Sequence, residues 1–197
     1  MILSQDMRIL EAKSNIPRLS LMENAGKAVY REIRQRFELK YKKILVVCYH
    51  GNNGGDGFVA ARYLCDEAET DILFIGDEGK MKKEALINFK KIEHNEKIQF
   101  IVEEGVDFNT YDIIVDAILG IGIQGMLNGE ISAVIYDINN SKAYKVAVDI
   151  PTGLNPDTGE VFDKMVNADL IVTFHDMKKG LEKLQDKVVV ADIGLPK

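Results

Sequence analysis

The sequence predicts an α/β fold, a three-layer sandwich in which a mainly parallel sheet carries helices on both faces. Three observations carry that expectation. After residue 40, short apolar runs alternate with amphipathic stretches in the strand–helix–strand order that parallel strands need. The first run, Lys43–Tyr49 (KILVVCY), is apolar almost throughout, as a strand covered on both faces would be. Glycine-rich or polar segments follow four of the expected strands at the same edge, which is where sheets of this class hold ligands.

The elements follow in order. Ser4 is placed to N-cap a short helix with Met7, Ile9 and Leu10 among its apolar positions. Pro17 interrupts that pattern. Helical periodicity then resumes from Leu19 to Phe37 through Leu21, Met22, Ala25, Val29 and Ile33. The strand at Lys43–Tyr49 leads to a helix over Gly57–Cys65, a strand at Asp71–Ile75 and a charged amphipathic helix over Lys80–Ile92. Short strands at Ile98–Val102 and Ile113–Asp116 precede a helix near Glu130–Ile138. Strands at Lys145–Ile150, Leu170–Phe174 and Lys187–Ala191 complete the chain. No Pro-, Gly- or Ser-rich linker and no repeat divides it. Residues 1–197 therefore read as one Rossmann-like domain, a helical extension over 1–40 and an α/β core over 41–197. Asn155–Gly159 (NPDTG) reads as a surface turn with no chemical duty.

Composition narrows the function classes. The 197 residues can bury a substantial core, and 46% apolar with 28% charged residues is an ordinary globular balance. A formal charge of −6 argues against a duplex nucleic-acid binder, which must neutralise phosphates. No apolar run approaches the roughly 18 residues of a membrane span. Gln5, Asp6 and Arg8 interrupt any signal-peptide core at the N-terminus, so a soluble, cytoplasmic protein is expected. Cys48 and Cys65 lack ligand spacing and read as reduced, buried thiols.

The four segments at the ligand edge hold the candidate residues. Gly51–Gly57 (GNNGGDG) follows the first strand, and its glycines would let backbone N–H groups approach an anion at a helix N-terminus. Its spacing is neither GxGxxG nor GxxxxGK[ST], which sets aside the dinucleotide fingerprint and the P-loop. Asp56 would repel a phosphate unless it caps the following helix or a cation intervenes. Asn53 and Asp116, oxygen donors at adjacent strand ends, suit a hard cation. Gly120, Gly122 and Gly125 form a second glycine cluster, either a turn or a second backbone approach to a ligand. Asp149 ends an apolar strand just before Ile150 and Pro151. A carboxylate there is either partly desolvated and suited to acid–base work, or held by loop amides for structure alone. His175, Lys178 and Lys179 follow the sixth strand, as ligand contacts or as a solvated loop. His50 has no ligand spacing, and His94 reads as solvated surface.

In order along the chain stand Met22-Glu23-Asn24-Ala25-Gly26, GNNGGDG at 51–57, Val115-Asp116-Ala117-Ile118-Leu119-Gly120, Val148-Asp149-Ile150-Pro151-Thr152-Gly153, and Thr173-Phe174 with Lys178 and Gly180. With these motifs the chain resembles the YjeF N-terminal domain family, whose enzymatic members are NAD(P)H-hydrate epimerases, over essentially its whole length. The resemblance implies that Asn52, Asn53, Gly54, Gly55 and Asp56 line a dinucleotide site. It implies that Asn53, Asp116 and Thr152 bind a potassium ion. Gly120, Ile121, Gly122, Ile123, Gln124, Gly125 and Met126, together with Asp149 and Lys178, match substrate contacts, with Asp149 as the catalytic group. The implied substrate is hydrated NADH or NADPH, and the implied activity is interconversion of its R and S epimers. The implied partners are a second copy in a homodimer, through the N-terminal helices, and an NAD(P)H-hydrate dehydratase, fused or separate. Some members of the family are non-catalytic scaffolds that lose the chemical residues; this chain keeps them. It departs from the family at Tyr49-His50, in the run GIGIQGMLNG and at His175-Asp176-Met177.

Overall fold

The computed structural model describes residues 1–122, 127–161 and 163–196. Seven strands form one sheet: β1 (Lys43–Cys48), β2 (Glu69–Phe74), β3 (Ile98–Ile101), β4 (Ile113–Ala117), β5 (Tyr144–Val148), β6 (Leu170–Phe174) and β7 (Val188–Ala191). Their order is β3-β2-β1-β4-β5-β6-β7, and every neighbouring pair is parallel. Strand order reverses between β1 and β4, which opens a crevice at their carboxyl ends. The fold is Rossmann-like, as the sequence predicts.

Each central strand is buried on both faces, and this explains its lack of polar alternation. From β1, Ile44, Val46 and Cys48 pack with α2 (Arg18–Arg36) and α3 (Asn52–Leu64) through Val29, Ile33, Phe58 and Ala61. Leu45 and Val47 point the other way, toward Ile131, Val134, Ile135 and Ile138 of α5 (Gly129–Asn140). Helix α4 (Lys83–Lys90) sits beside α3. The MENAG run marks the closest helix crossing. A Cβ on Gly26 would stand 2.5 Å from the Asp56 carbonyl oxygen and 2.5 Å from Val59 Cβ. Only glycine lets α2 and α3 meet at that point.

Several boundaries differ from the sequence expectation, each for a physical reason. Ser4 is the first residue of α1 (Ser4–Lys13), not its cap; Leu3 holds the cap position without a side-chain bond. The Ser4 N–H instead donates to Asp157 Oδ1 at 2.7 Å. The NPDTG turn therefore anchors α1 rather than lying idle on the surface. Helix α3 starts at Asn52, five residues before the expected Gly57, because Asn-Asn-Gly-Gly is a poor helix former that hides the first turn from periodicity. The charged stretch at 80–92 is split into a 3-10 turn, Glu78–Lys80, and α4. Asp77 accepts a hydrogen bond from Gly79 N at 2.9 Å to start that turn. Strand β5 stops at Val148 rather than Ile150, because Asp149 adopts φ +63° and leaves the extended conformation. Both cysteines are free and buried. Among the described residues no helix is long and apolar enough to cross a membrane.

Candidate active site

The carboxyl ends of β1, β4, β5 and β6 bring residues of all four segments together, in three groups. The first is the start of α3. Asn52, Asn53 and Gly54 occupy its opening turn, where a helix has N–H groups without partners inside it and the positive end of its dipole. The turn is pressed onto β1: a Cβ on Gly54 would overlap the Tyr49 carbonyl oxygen. Gly55 faces Met22, whose Cε would lie 2.6 Å from an added Cβ. These glycines serve close approach, and they leave the helix terminus open to an anion. Asp56 does not cap the helix, since it lies in the second turn. Burial first, then the charges of Asp149 and Glu11, push its carboxyl well above the usual range, with Lys178 opposing. A carboxyl so biased toward its neutral form repels a phosphate less than the sequence suggests.

The second group joins β4 to the Ile150–Gly153 loop. Asp116 is wholly buried, and Thr152 closes on it with two bonds, N–H to Oδ2 at 2.8 Å and hydroxyl to Oδ1 at 2.6 Å. Ile118 N–H adds a third at 3.3 Å. Burial outweighs these bonds and raises the Asp116 carboxyl to about 6. Asn53 belongs to the same corner. A Cβ on Gly120 would stand 3.0 Å from its Oδ1, so Gly120 is needed for this approach. Asn53 Nδ2 is buried and finds no acceptor among the described residues. A half-turn of the amide puts its oxygen in that orphaned position. One carboxylate, one hydroxyl and one amide oxygen are hard donors with a single negative charge, a set that fits a monovalent hard cation.

Asp149 and Lys178 form the third group. Asp149 is 7% exposed and Lys178 is 0% exposed, and Lys178 Nζ stands 2.6 Å from Asp149 Oδ1. The Thr173 hydroxyl donates to the same oxygen at 3.0 Å, and Phe174 N–H reaches it at 3.4 Å. Lys178 Nζ also donates to the Phe174 carbonyl at 2.8 Å. Asp149 is thus both desolvated and bonded, which merges the two sequence readings, with a buried ion pair that neither included. Its φ of +63° and the +67° of His175 place strained non-glycine backbone after β5 and β6, a common mark of functional sites. Lys179, next to Lys178 in sequence, is exposed.

Sequence reasoning missed the contribution of α1. Ile2 bridges the loop after β6, its N–H donating to Met177 O at 2.9 Å while Lys179 N–H donates to Ile2 O at 3.2 Å. Arg8 Nη2 donates to the Ile121 carbonyl at 2.7 Å, which ties α1 to the second glycine loop. One turn further along the same face, Glu11 enters a cleft with Arg18, Asn52, Asp56, Glu84 and Phe174 on its walls. Burial, then the Asp149 charge, raises the Glu11 carboxyl, against Lys178, Arg18 and Arg8. The available signal was the Arg8/Glu11 spacing on one face of a short helix. In the second glycine loop, Gly120 and the half-buried Ile121 are part of this corner, whereas Gly122 is exposed and, among the described residues, a Cβ on it would meet nothing within 4 Å. Ile123, Gln124, Gly125 and Met126 lie outside the described residues.

A sequence profile of the family described as YjeF-related protein N-terminus matches residues 18–180. The chain belongs to that family. Among its relatives is the bifunctional NAD(P)H-hydrate repair enzyme Nnr of Archaeoglobus fulgidus, 44% identical over 99% of this chain and 42% of the relative. The Nnr of Methanothermobacter thermautotrophicus is 42% identical, over 92% of this chain and 37% of the relative. The chain therefore spans well under half the length of these bifunctional family members. The NAD(P)H-hydrate epimerase of Oenococcus oeni is 39% identical over 93% of this chain and 89% of its own length. The crystal structure of yeast ynu0 superposes with a TM-score of 0.83 over 96% of this chain and 86% of that one, at 21% identity. That likeness supports the family fold alone.

Proposed function

We propose that the chain is an NAD(P)H-hydrate epimerase, acting on hydrated NADH or NADPH at the carboxyl edge of its sheet. The buried Asp149–Lys178 pair at a strained strand end, beside the open terminus of α3, is the observation that carries this reading. The names of the Oenococcus oeni and Archaeoglobus fulgidus relatives agree with it.

The substrate bears a hydroxyl on the ring carbon next to the ring nitrogen. Loss of that hydroxyl leaves a planar cation, and water returning to the other face inverts the centre without redox change. Asp149 exchanges a proton with the hydroxyl or the water and stabilises the cation by its charge. Lys178 and Thr173 fix the orientation of its carboxylate. The amides of Asn52, Asn53 and Gly54 receive a phosphate of the dinucleotide. Asn53, Asp116 and Thr152 would hold potassium, whose charge offsets the acidic residues near the phosphates. The protein then works as a cytoplasmic homodimer, with exposed Met1, Leu3 and Ile9 around α1 available for the contact, and in step with an NAD(P)H-hydrate dehydratase.

Two outcomes are expected. A dehydratase selective for one epimer should stall on an equilibrated mixture of NADH-hydrate epimers and run to completion once this chain is added; a continued stall would contradict the reading. For the cation, potassium at about 100 times its Kd should stabilise the fold by ~2.7 kcal/mol. At this chain length that is roughly 5–10 °C in melting temperature. Asp116→Asn should remove the increment, read as the difference in melting temperature with and without potassium for each variant. An increment that survives in Asp116→Asn places the cation elsewhere.

A further inference from the structure

We propose that Glu11 of α1 is a further acid–base residue of this cleft, exchanging a proton with the departing hydroxyl or with the water that replaces it. The proposal rests on the epimerase reading above and adds a group to it. Inversion itself sets the need. The C–O bond breaks with its electron pair on oxygen, and a proton converts that oxygen to water. The lone pair of the ring nitrogen forms the C=N bond of the cation. Water then adds to the opposite face, its electron pair closing the new C–O bond, and releases one proton. The proton count balances, but departure and return take place on opposite faces of a planar ring. A carboxyl fixed on one side reaches one face. A second acid–base group on another wall serves the other face faster than solvent alone.

Asp149 belongs to the sheet side, nearly enclosed, with Lys178, Thr173 and Phe174 gathered on one of its oxygens. Glu11 belongs to the helical side and lines the cleft together with Asn52 and Asp56. Among the described residues, the hydrogen bond Glu11 makes outside the helix ladder uses its backbone carbonyl, which accepts from the Ser14 hydroxyl at 2.9 Å. Its half-buried carboxylate is left for a ligand. A partly desolvated carboxyl without a partner costs stability, and α1 is held in place by three tethers that keep it there: the Ile2 bridge, Ser4 N–H to Asp157 and Arg8 to Ile121.

The charges around Glu11 come from every neighbouring element. Asp149 at the end of β5 and Asp56 of α3 are acidic; Lys178 after β6, Arg18 of α2 and Arg8 of α1 are basic. Glu84 of α4 lines the same cleft. Burial and the Asp149 charge raise the Glu11 carboxyl against the three cations, which extends upward the pH range over which it can donate a proton.

The test is kcat, KM and the pH profile for epimer interconversion by the full chain and by Glu11→Gln and Glu11→Asp. Glu11→Gln should keep its cooperative thermal transition and lose about 100-fold in kcat. Its KM should stay within about threefold, and one limb of the bell-shaped profile should disappear. Glu11→Asp keeps the charge with a shorter reach and should fall between, carrying the test if the glutamine variant folds poorly. Unchanged kcat and pH limbs in both variants, or a loss confined to KM, would overturn the role of Glu11 while leaving the epimerase reading intact. A native chain with no epimerase activity would remove both.

Discussion

Asp149→Asn is expected to lose about 100-fold or more in turnover and also to melt at a lower temperature than the native chain. The first effect follows from removing the proton carrier. The second follows from Lys178, which has no exposed surface and depends on Asp149 for its charge partner. Breaking a buried pair on one side costs about 3–5 kcal/mol. For a domain of this length that is roughly 6–20 °C. The asparagine oxygen still accepts from Thr173 and Lys178, which favours the lower end. The double variant Asp149→Asn/Lys178→Met removes both charges and should recover much of the melting temperature without recovering turnover. Near-native turnover in Asp149→Asn would remove Asp149 from the acid–base role. The loss of stability comes from the buried ion pair with Lys178, which the sequence does not reveal.

Gly54→Ala should be the most damaging change in the α3 terminus. Its methyl group would overlap the Tyr49 carbonyl oxygen and crowd the Tyr49 carbonyl carbon at 2.8 Å, all of it backbone that no rotamer can relieve. Relief means parting α3 from β1, at a cost of about 1–3 kcal/mol or more. The same shift would misplace the amides that receive the phosphate, and ~1 Å of misplacement can cost about 100-fold in rate. Gly51→Ala is the control. Gly51 has φ −84°, and among the described residues a Cβ there meets nothing within 4 Å. Its stability should stay within about 0.5 kcal/mol of native. Chemical denaturation of both variants separates the cases, and equal stabilities would refute the close-packing account of GNNGGDG.

The sheet was readable because its strands are buried on both faces and so announce themselves as apolar runs. The ligand edge was readable because glycines and polar residues follow strands only there. What periodicity could not supply was contact between distant segments. From its own residues the loop after β6 reads equally as a ligand contact or as a solvated turn, and only the fold puts Lys178 against Asp149. Glu11 is a polar residue on a helix whose periodicity is carried by Met7, Ile9 and Leu10, so nothing in that apolar pattern marks its face as part of a cleft. The first turn of α3 was hidden by its glycines, which are spent on close packing rather than helix propensity. Thr152 entered through family resemblance; its two bonds to Asp116 supply the physical reason for a threonine there.

The most direct measurement is the time course of a single purified epimer of NADH hydrate incubated with this chain, the two epimers being separated at intervals with and without potassium. The account predicts appearance of the other epimer far above the spontaneous rate, faster with potassium and slowed about 100-fold or more in Asp149→Asn. A rate equal to background under both conditions would contradict it, and the cleft would then belong to a nucleotide-binding or scaffold member of the family.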